Sequence, residues 1–150
     1  MMETRHHNYE EPFAVSAERM FEVLITPSAI RDWWGASRAI VTAAKDGSWI
    51  ATWGEGENDS GYTSSFKIKE FEPPRRLLLS DGKYLAKSDP PIEMNMTTEF
   101  IVEPMVGECT LRVVHEWFPA DEAAEEFYEA CVIGWKNTFE GLRKYFYDNP

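Results

Sequence analysis

PADEAAEEFYEACVIGWKNTFEGLRKYFY, residues 119–147, is the stretch whose reading decides the fold. Its bulky apolar side chains are Phe127, Tyr128, Cys131, Trp135, Phe139, Leu142, Tyr145 and Phe146. Steps of three and four residues put them on one stripe of a single long helix. Gly134 and Gly141 lie inside that helix, where a glycine costs about 1 kcal/mol relative to alanine. A bulky stripe with interior glycines predicts a lid laid across a curved sheet, and a curved sheet under a helix can enclose a cavity. Asp121, Glu122, Glu125, Glu126 and Glu129 crowd the start of the helix, with Lys136, Arg143 and Lys144 further along. That order complements the helix dipole. The alternative reading is an acidic docking surface for a basic partner.

Upstream of this helix the pattern changes period. Residues 5–15 read as a strand, with Tyr9, Phe13 and Val15 on one face and His6, Asn8 and Glu10 on the other. Ser16 suits the N-cap of a short helix in which Ala17, Met20, Phe21 and Leu24 recur at helical spacing. Thr26-Pro27 starts a second short helix, with threonine as N-cap and proline at the first helical position. It holds Ile30, Trp33 and Trp34 and ends at Gly35.

Strands follow at 38–43, 48–53, 62–71 and 77–80. A fifth puts Met94, Met96, Thr98, Phe100 and Val102 on one face, and the last puts Leu111, Val113, His115 and Trp117 on its inner face. Lys45-Asp46-Gly47 and Pro73-Pro74 read as turns, 54–61 and 81–91 as loops, and 103–108 as a turn centred on Pro104 and Gly107. Short connections imply antiparallel pairing. Strands followed by a terminal helix imply an α+β layer pair. With no repeat, low-complexity tract or linker, residues 1–150 read as one domain.

Composition narrows the partners. A formal net charge of −11 repels phosphates, which argues against a nucleic acid or an anionic membrane as partner. Hydrophobic residues are 43% of the chain and aromatic residues 14%, which is ample for a core. Cys109 and Cys131 show no CxxC or zinc-ligand spacing and read as free buried thiols in a reducing cytosol. No metal and no cofactor is implied. The N-terminal ten residues are polar, and no segment approaches the ~20 apolar residues of a membrane span, so a cytoplasmic protein is expected.

No catalytic signature appears: the chain lacks GxSxG, a P-loop, GxGxxG, HExxH and an EF-hand loop. His115 is the one histidine on an apolar strand face. It reads either as a hydrogen-bonded core residue or as the polar anchor of a pocket. Asp81 is the one acid placed to point inward. The six tryptophans either pack a core of large rings or line a pocket. Trp33 and Trp34 are adjacent on a short helix, so one packs inward and the other reaches the mouth of the sheet. Trp49 and Trp53 share a strand face, Trp117 and Trp135 come from the last strand and the long helix, and Met94 and Met96 add adaptable surface.

These landmarks together resemble a known family. Val15-Ser16-Ala17-Glu18-Arg19-Met20-Phe21 looks like its first strand-to-helix junction, and Thr26-Pro27-Ser28 followed by Trp33-Trp34 like its "T-[DP]-x…W-W" segment. Gly61 through Glu70-Phe71-Glu72-Pro73-Pro74-Arg75-Arg76-Leu77 is similar to its strand and turn "G…E-I-x-P-P-x-R-L". Thr110-Leu111-Arg112-Val113 with His115 resembles "T-x-L-x-x-x-H", and Gly134-Trp135 with Phe139 and Leu142 resembles "G-W-x-x-x-L-x-x-L". The order is similar to the helix-grip fold of the START and birch-pollen-allergen (SRPBCC) superfamily. Within it, the chain resembles the family named for the activator of the ninety-kilodalton heat-shock protein's ATPase, in its short bacterial form. The resemblance implies about seven antiparallel strands wrapped around the long C-terminal helix, with two short helices closing one end. A local departure is Gly47-Ser48-Trp49 where the family often has two glycines, and one residue at positive φ suffices for that turn.

The superfamily includes lipid carriers, aromatic polyketide cyclases, ligand sensors and co-chaperones, so the fold leaves function open. The first expectation is a non-enzymatic binding module for a small apolar or amphipathic ligand. Its cavity would be bordered by Trp33, Trp34, Trp49, Trp53, Phe66, Met94, Met96, Phe100, His115, Trp117, Phe127, Cys131 and Trp135. Gly134 would let a ring or ligand approach the helix backbone, while Leu142 and Phe146 pack permanently on the sheet. The second is a co-chaperone-like module stimulating a heat-shock-protein ATPase, although a single domain lacks a second chaperone-binding region. The third is a cavity-based cyclase or hydrolase using His115 with Asp81 or Tyr84. Monomer and homodimer both stay open.

Overall fold

The chain runs β1 (Arg5–Phe13), α1 (Ala17–Ile25), α2 (Pro27–Trp33), β2 (Arg38–Val41), β3 (Ser48–Trp53), β4 (Tyr62–Glu72), β5 (Arg76–Ala86), β6 (Ile92–Met105), β7 (Glu108–Trp117) and α3 (Glu122–Asp148). The structure, a computed structural model, describes the backbone of residues 5–54, 62–86, 92–117 and 122–150. Side chains are described for these residues except 5, 62, 84–86, 92–96, 117, 122–128, 130 and 131. Seven strands form one antiparallel sheet in the order β1-β7-β6-β5-β4-β3-β2. The α+β helix-grip architecture expected from the sequence is the one observed.

Each element follows from local chemistry. The Ser16 hydroxyl accepts the Arg19 amide at 3.2 Å and caps α1, with Glu18 in the first turn on the favourable end of the dipole. α1 has no cation in its last turn, and its final carbonyls are satisfied by side chains instead. Thr26 Oγ1 donates to the Glu22 carbonyl at 2.7 Å, Trp33 Nε1 to that of Val23 at 3.0 Å, and Trp49 Nε1 to that of Leu24 at 3.0 Å. Thr26 holds the N-cap position of α2, but its hydroxyl serves α1, because the orphan carbonyls lie one turn behind it. Gly35, at φ +68°, ends α2 as expected.

Four expectations from the sequence change. β5 does not stop at Ser80. Asp81 takes φ +54° inside a bulge, and pairing resumes so that the strand reaches Ala86. The Ser80-Asp81-Gly82 tripeptide has turn composition yet serves as a kink within a strand. β6 and β7 likewise extend to Met105 and Glu108, so Pro104 sits in the ladder opposite Cys109 and the turn is only Val106-Gly107. In the 45–47 turn the positive φ belongs to Asp46, at +70°. Gly47 is needed for space, since a β-carbon there would lie 2.1 Å from the Thr42 carbonyl oxygen. β1 and β2 end earlier than expected, at Phe13 and Val41.

The core lies between the inner sheet face and the three helices. Phe13, Leu77, Leu79, Phe100, Val102, Leu111 and Val113 are buried on the sheet side, and Met20, Leu24, Ile30, Phe139 and Leu142 on the helix side. Phe139 meets Tyr9 edge-on with centroids 4.8 Å apart, and Phe146 meets Phe13 at 6.1 Å. Arg143 ties α3 to β1, donating to Glu11 Oε1 at 2.7 Å and to the Pro12 carbonyl at 2.9 Å while its guanidinium lies over Phe13. Leu142 and Phe146 therefore join α3 to this core, as the stripe predicts.

Candidate functional site

Trp34 is the hub of the inner aromatic surface. It occupies the C-cap of α2, and its ring contacts Trp33 at 5.7 Å, Trp49 at 5.3 Å, Trp53 at 4.7 Å and Trp135 at 6.3 Å between centroids. The chain of ring contacts continues from Trp49 to Phe66 at 6.3 Å and from Trp135 to Phe100 and His115, both at 5.8 Å. Trp33 is buried and Trp34 half-buried, the division expected of adjacent residues on one helix. The structure thus brings Trp33, Trp34, Trp49, Trp53, Phe66, Phe100, His115 and Trp135 into one contiguous cluster. The side chains of Met94, Met96, Trp117, Phe127 and Cys131 lie outside the described residues.

Every described indole N–H is satisfied. Besides the two serving α1, Trp34 Nε1 donates to Thr138 Oγ1 at 2.9 Å, Trp53 Nε1 to the Trp34 carbonyl at 3.1 Å, and Trp135 Nε1 to His115 Nδ1 at 3.1 Å. Thr138 in turn donates to the Gly134 carbonyl at 2.8 Å. Acceptance at Nδ1 places the proton of neutral His115 on Nε2. Burial, with His7 a lesser contributor, lowers the His115 pKa to about 3. The ring is therefore uncharged at neutral pH and is a poor base there.

His115 is not alone in its row. The ladders place His7 of β1 opposite His115 of β7, and His115 opposite Thr98 of β6. Three polar side chains thus cross three strands in register on the inner face. Thr98 is only 2% exposed, and both Thr98 Oγ1 and His7 Nε2 are buried with no hydrogen-bond partner among the described residues. Burial also lowers the His7 pKa. The sequence reading of β1 assigns His7 to neither face and gives Thr98 no part in the site. The period-2 alternation that puts Tyr9 and Phe13 inward puts His7 inward too, so the signal was present.

Asp81, one of the two acid–base partners expected for His115, does not stand beside it. Asp81 is exposed, and it lines a hollow of about 440 Å³ with Lys67, Lys69 and Thr97. Ile68 and Thr98, the strand neighbours of those residues, are buried in the core, so Asp81 lies on the outer face, away from His115. The Tyr84 side chain is outside the described residues. No cluster of three potential metal ligands occurs among the described residues.

The two interior glycines of α3 have different surroundings. Apart from the helix's own backbone, no atom of the described residues comes within 4 Å of a β-carbon on Gly134, whereas one on Gly141 would lie 2.2 Å from the Trp33 carbonyl oxygen. The close approach that requires glycine is thus a helix–helix contact at Gly141, and Gly134 borders open space.

A strand, two short helices, six strands and a long gripped helix, closed by a tryptophan-rich inner face, can be compared with known proteins. Residues 14–147 match the family model of Activator of Hsp90 ATPase homolog 1-like proteins. The chain belongs to this family. Among solved structures it is similar to the AHSA1 protein of Silicibacter pomeroyi, with 21% identity, a TM-score of 0.71, and 97% of this chain and 100% of that chain covered. A Mesorhizobium loti protein aligns with 17% identity and a TM-score of 0.76 over 97% of this chain and 99% of that one. The Aha1 dimer of Colwellia psychrerythraea aligns with 14% identity and a TM-score of 0.68 over 93% of each chain. At such identities the likeness shows the fold alone. No curated protein matches the chain.

Proposed function

We propose that this protein is a binding module for a small apolar or amphipathic molecule held between the inner sheet face and α3. The observation that carries the reading is the Trp34 hub, a half-buried indole edged by four other tryptophan rings beside the open space at Gly134. Ligand sites are mostly apolar and aromatic with a few placed polar groups, and the His7–His115–Thr98 row supplies the polar groups. Family membership supports a ligand-binding type of module in general. The site needs no cofactor or metal, and the protein works as one domain in the cytoplasm; no described helix is long and apolar enough to cross a membrane.

Titration with N-phenyl-1-naphthylamine, a neutral apolar fluorophore, tests the reading. Saturable binding near one equivalent is expected, with quenching of tryptophan emission and weaker binding by the Trp34→Ala variant. Linear, non-saturating fluorescence would sink it.

The family description motivates a second reading, stimulation of a heat-shock-protein ATPase. An ATPase assay with the chaperone of the same host decides it, since no stimulation at saturating protein leaves the family name without a counterpart in this chain. Turnover in the cavity has weaker support, because Asp81 faces away from His115.

A further inference from the structure

We infer that Thr98 and His7 form two separate polar anchors, each for an uncharged hydrogen-bonding group, such as a hydroxyl or carbonyl, on an otherwise apolar ligand. The inference rests on the binding-module reading and names the ligand class for that site. Burying a hydroxyl or an imidazole nitrogen without a partner forfeits its hydrogen bonds to water, so such atoms in a core mark a place where something else completes the bond. Here two of them, Thr98 Oγ1 and His7 Nε2, sit in the same cross-strand row on the inner face. Thr98 is almost fully buried, so bulk solvent does not reach it. Two strand spacings separate the pair at the backbone, about 10 Å, so the row offers two distinct hydrogen-bonding positions beside the Trp135 ring.

The surroundings select against charge. The described inward neighbours along these strands are Tyr9, Phe100 and Val113, and His115 between the two anchors is neutral. Glu11, the nearest inward acid on β1, is already engaged by Arg143 and by the Tyr9 hydroxyl. Among the described residues no free counter-charge faces this row, so a carboxylate or an ammonium there would be desolvated at far greater cost than a neutral group. A neutral donor–acceptor such as a hydroxyl can give its proton to the His7 ring or accept one from Thr98.

Displacement of N-phenyl-1-naphthylamine from the full chain at pH 7 by three matched competitors tests the anchor. Butylbenzene, 4-butylphenol and 4-butylbenzoate share one apolar body and differ in the end group. One satisfied buried hydrogen bond corresponds to about tenfold in affinity, so 4-butylphenol is expected to compete about tenfold more tightly than either of the others. In Thr98→Val, which keeps the shape and removes the hydroxyl, that preference over butylbenzene should fall to near unity. Equal competition by all three, a preference for the carboxylate, or a phenol preference unchanged in Thr98→Val would overturn the anchor and leave the binding module standing. Failure of the fluorophore and every competitor to bind would overturn both.

Discussion

The Trp33 carbonyl oxygen lies 2.2 Å from the position a β-carbon on Gly141 would take, so α2 and α3 meet there backbone to backbone. Nothing flexible can yield at that contact. Gly141→Ala is expected to destabilise the protein by about 2–4 kcal/mol, although alanine is the better helix former. Gly134→Ala, in the same helix with no atom of the described residues outside the helix backbone within 4 Å of the new methyl, should gain up to about 1 kcal/mol. Urea unfolding of the pair checks the contrast, and equal effects would refute it.

The buried Thr98 hydroxyl makes the opposite kind of prediction. It is desolvated and without a partner, so Thr98→Val should stabilise the ligand-free protein by about 1 kcal/mol in urea unfolding. A loss of more than 1 kcal/mol would mean that an ordered water already satisfies the oxygen.

His115 should make the fold acid-sensitive. Its pKa is lowered from 6.5 to about 3 by burial, so the unfolded chain takes up a proton between those values that the folded chain refuses. Stability from this group is full above pH 6.5 and falls by about 1.4 kcal/mol per pH unit as pH drops toward 3. At pH 5 the expected loss is about 2 kcal/mol. His115→Gln keeps an acceptor for the Trp135 indole and does not titrate, so its Tm should change less than wild type's between pH 7 and 5. Parallel curves would place the acid sensitivity elsewhere.

Cys109 is buried, and its pKa is raised to about 11 by burial and then by Glu108. A thiol held protonated and covered reacts slowly. In a Cys131→Ala background, Ellman's reagent should find under ~0.1 thiol per chain in minutes without denaturant and one thiol in guanidinium chloride. Prompt labelling of the native protein would show that β7 opens readily.

Much of the site was readable in the chain, and the failures have physical causes. Alternation placed Phe13, Phe100, Val113 and His115 inward, and helical spacing placed Trp135, Phe139 and Leu142 on one stripe, because period alone sets the face. The same period pointed to His7, but a polar N-terminal segment hid it. Asp81 was misplaced because one bulge residue at positive φ reverses the alternation that any strand reading relies on. The close approach at Gly141 was not legible, since spacing along a helix does not say which turn meets a neighbouring backbone.

The sequence by itself determined the element order, the hydrophobic faces, the family and the aromatic inventory, all of which follow from local periodicity and capping. Only the tertiary structure decided which tryptophan became the hub and that His7, His115 and Thr98 share a row. It alone decided that α2 and α3 touch at Gly141. Those facts depend on strand register and on the crossing of α3 over the sheet, which are set by packing between residues far apart in the chain.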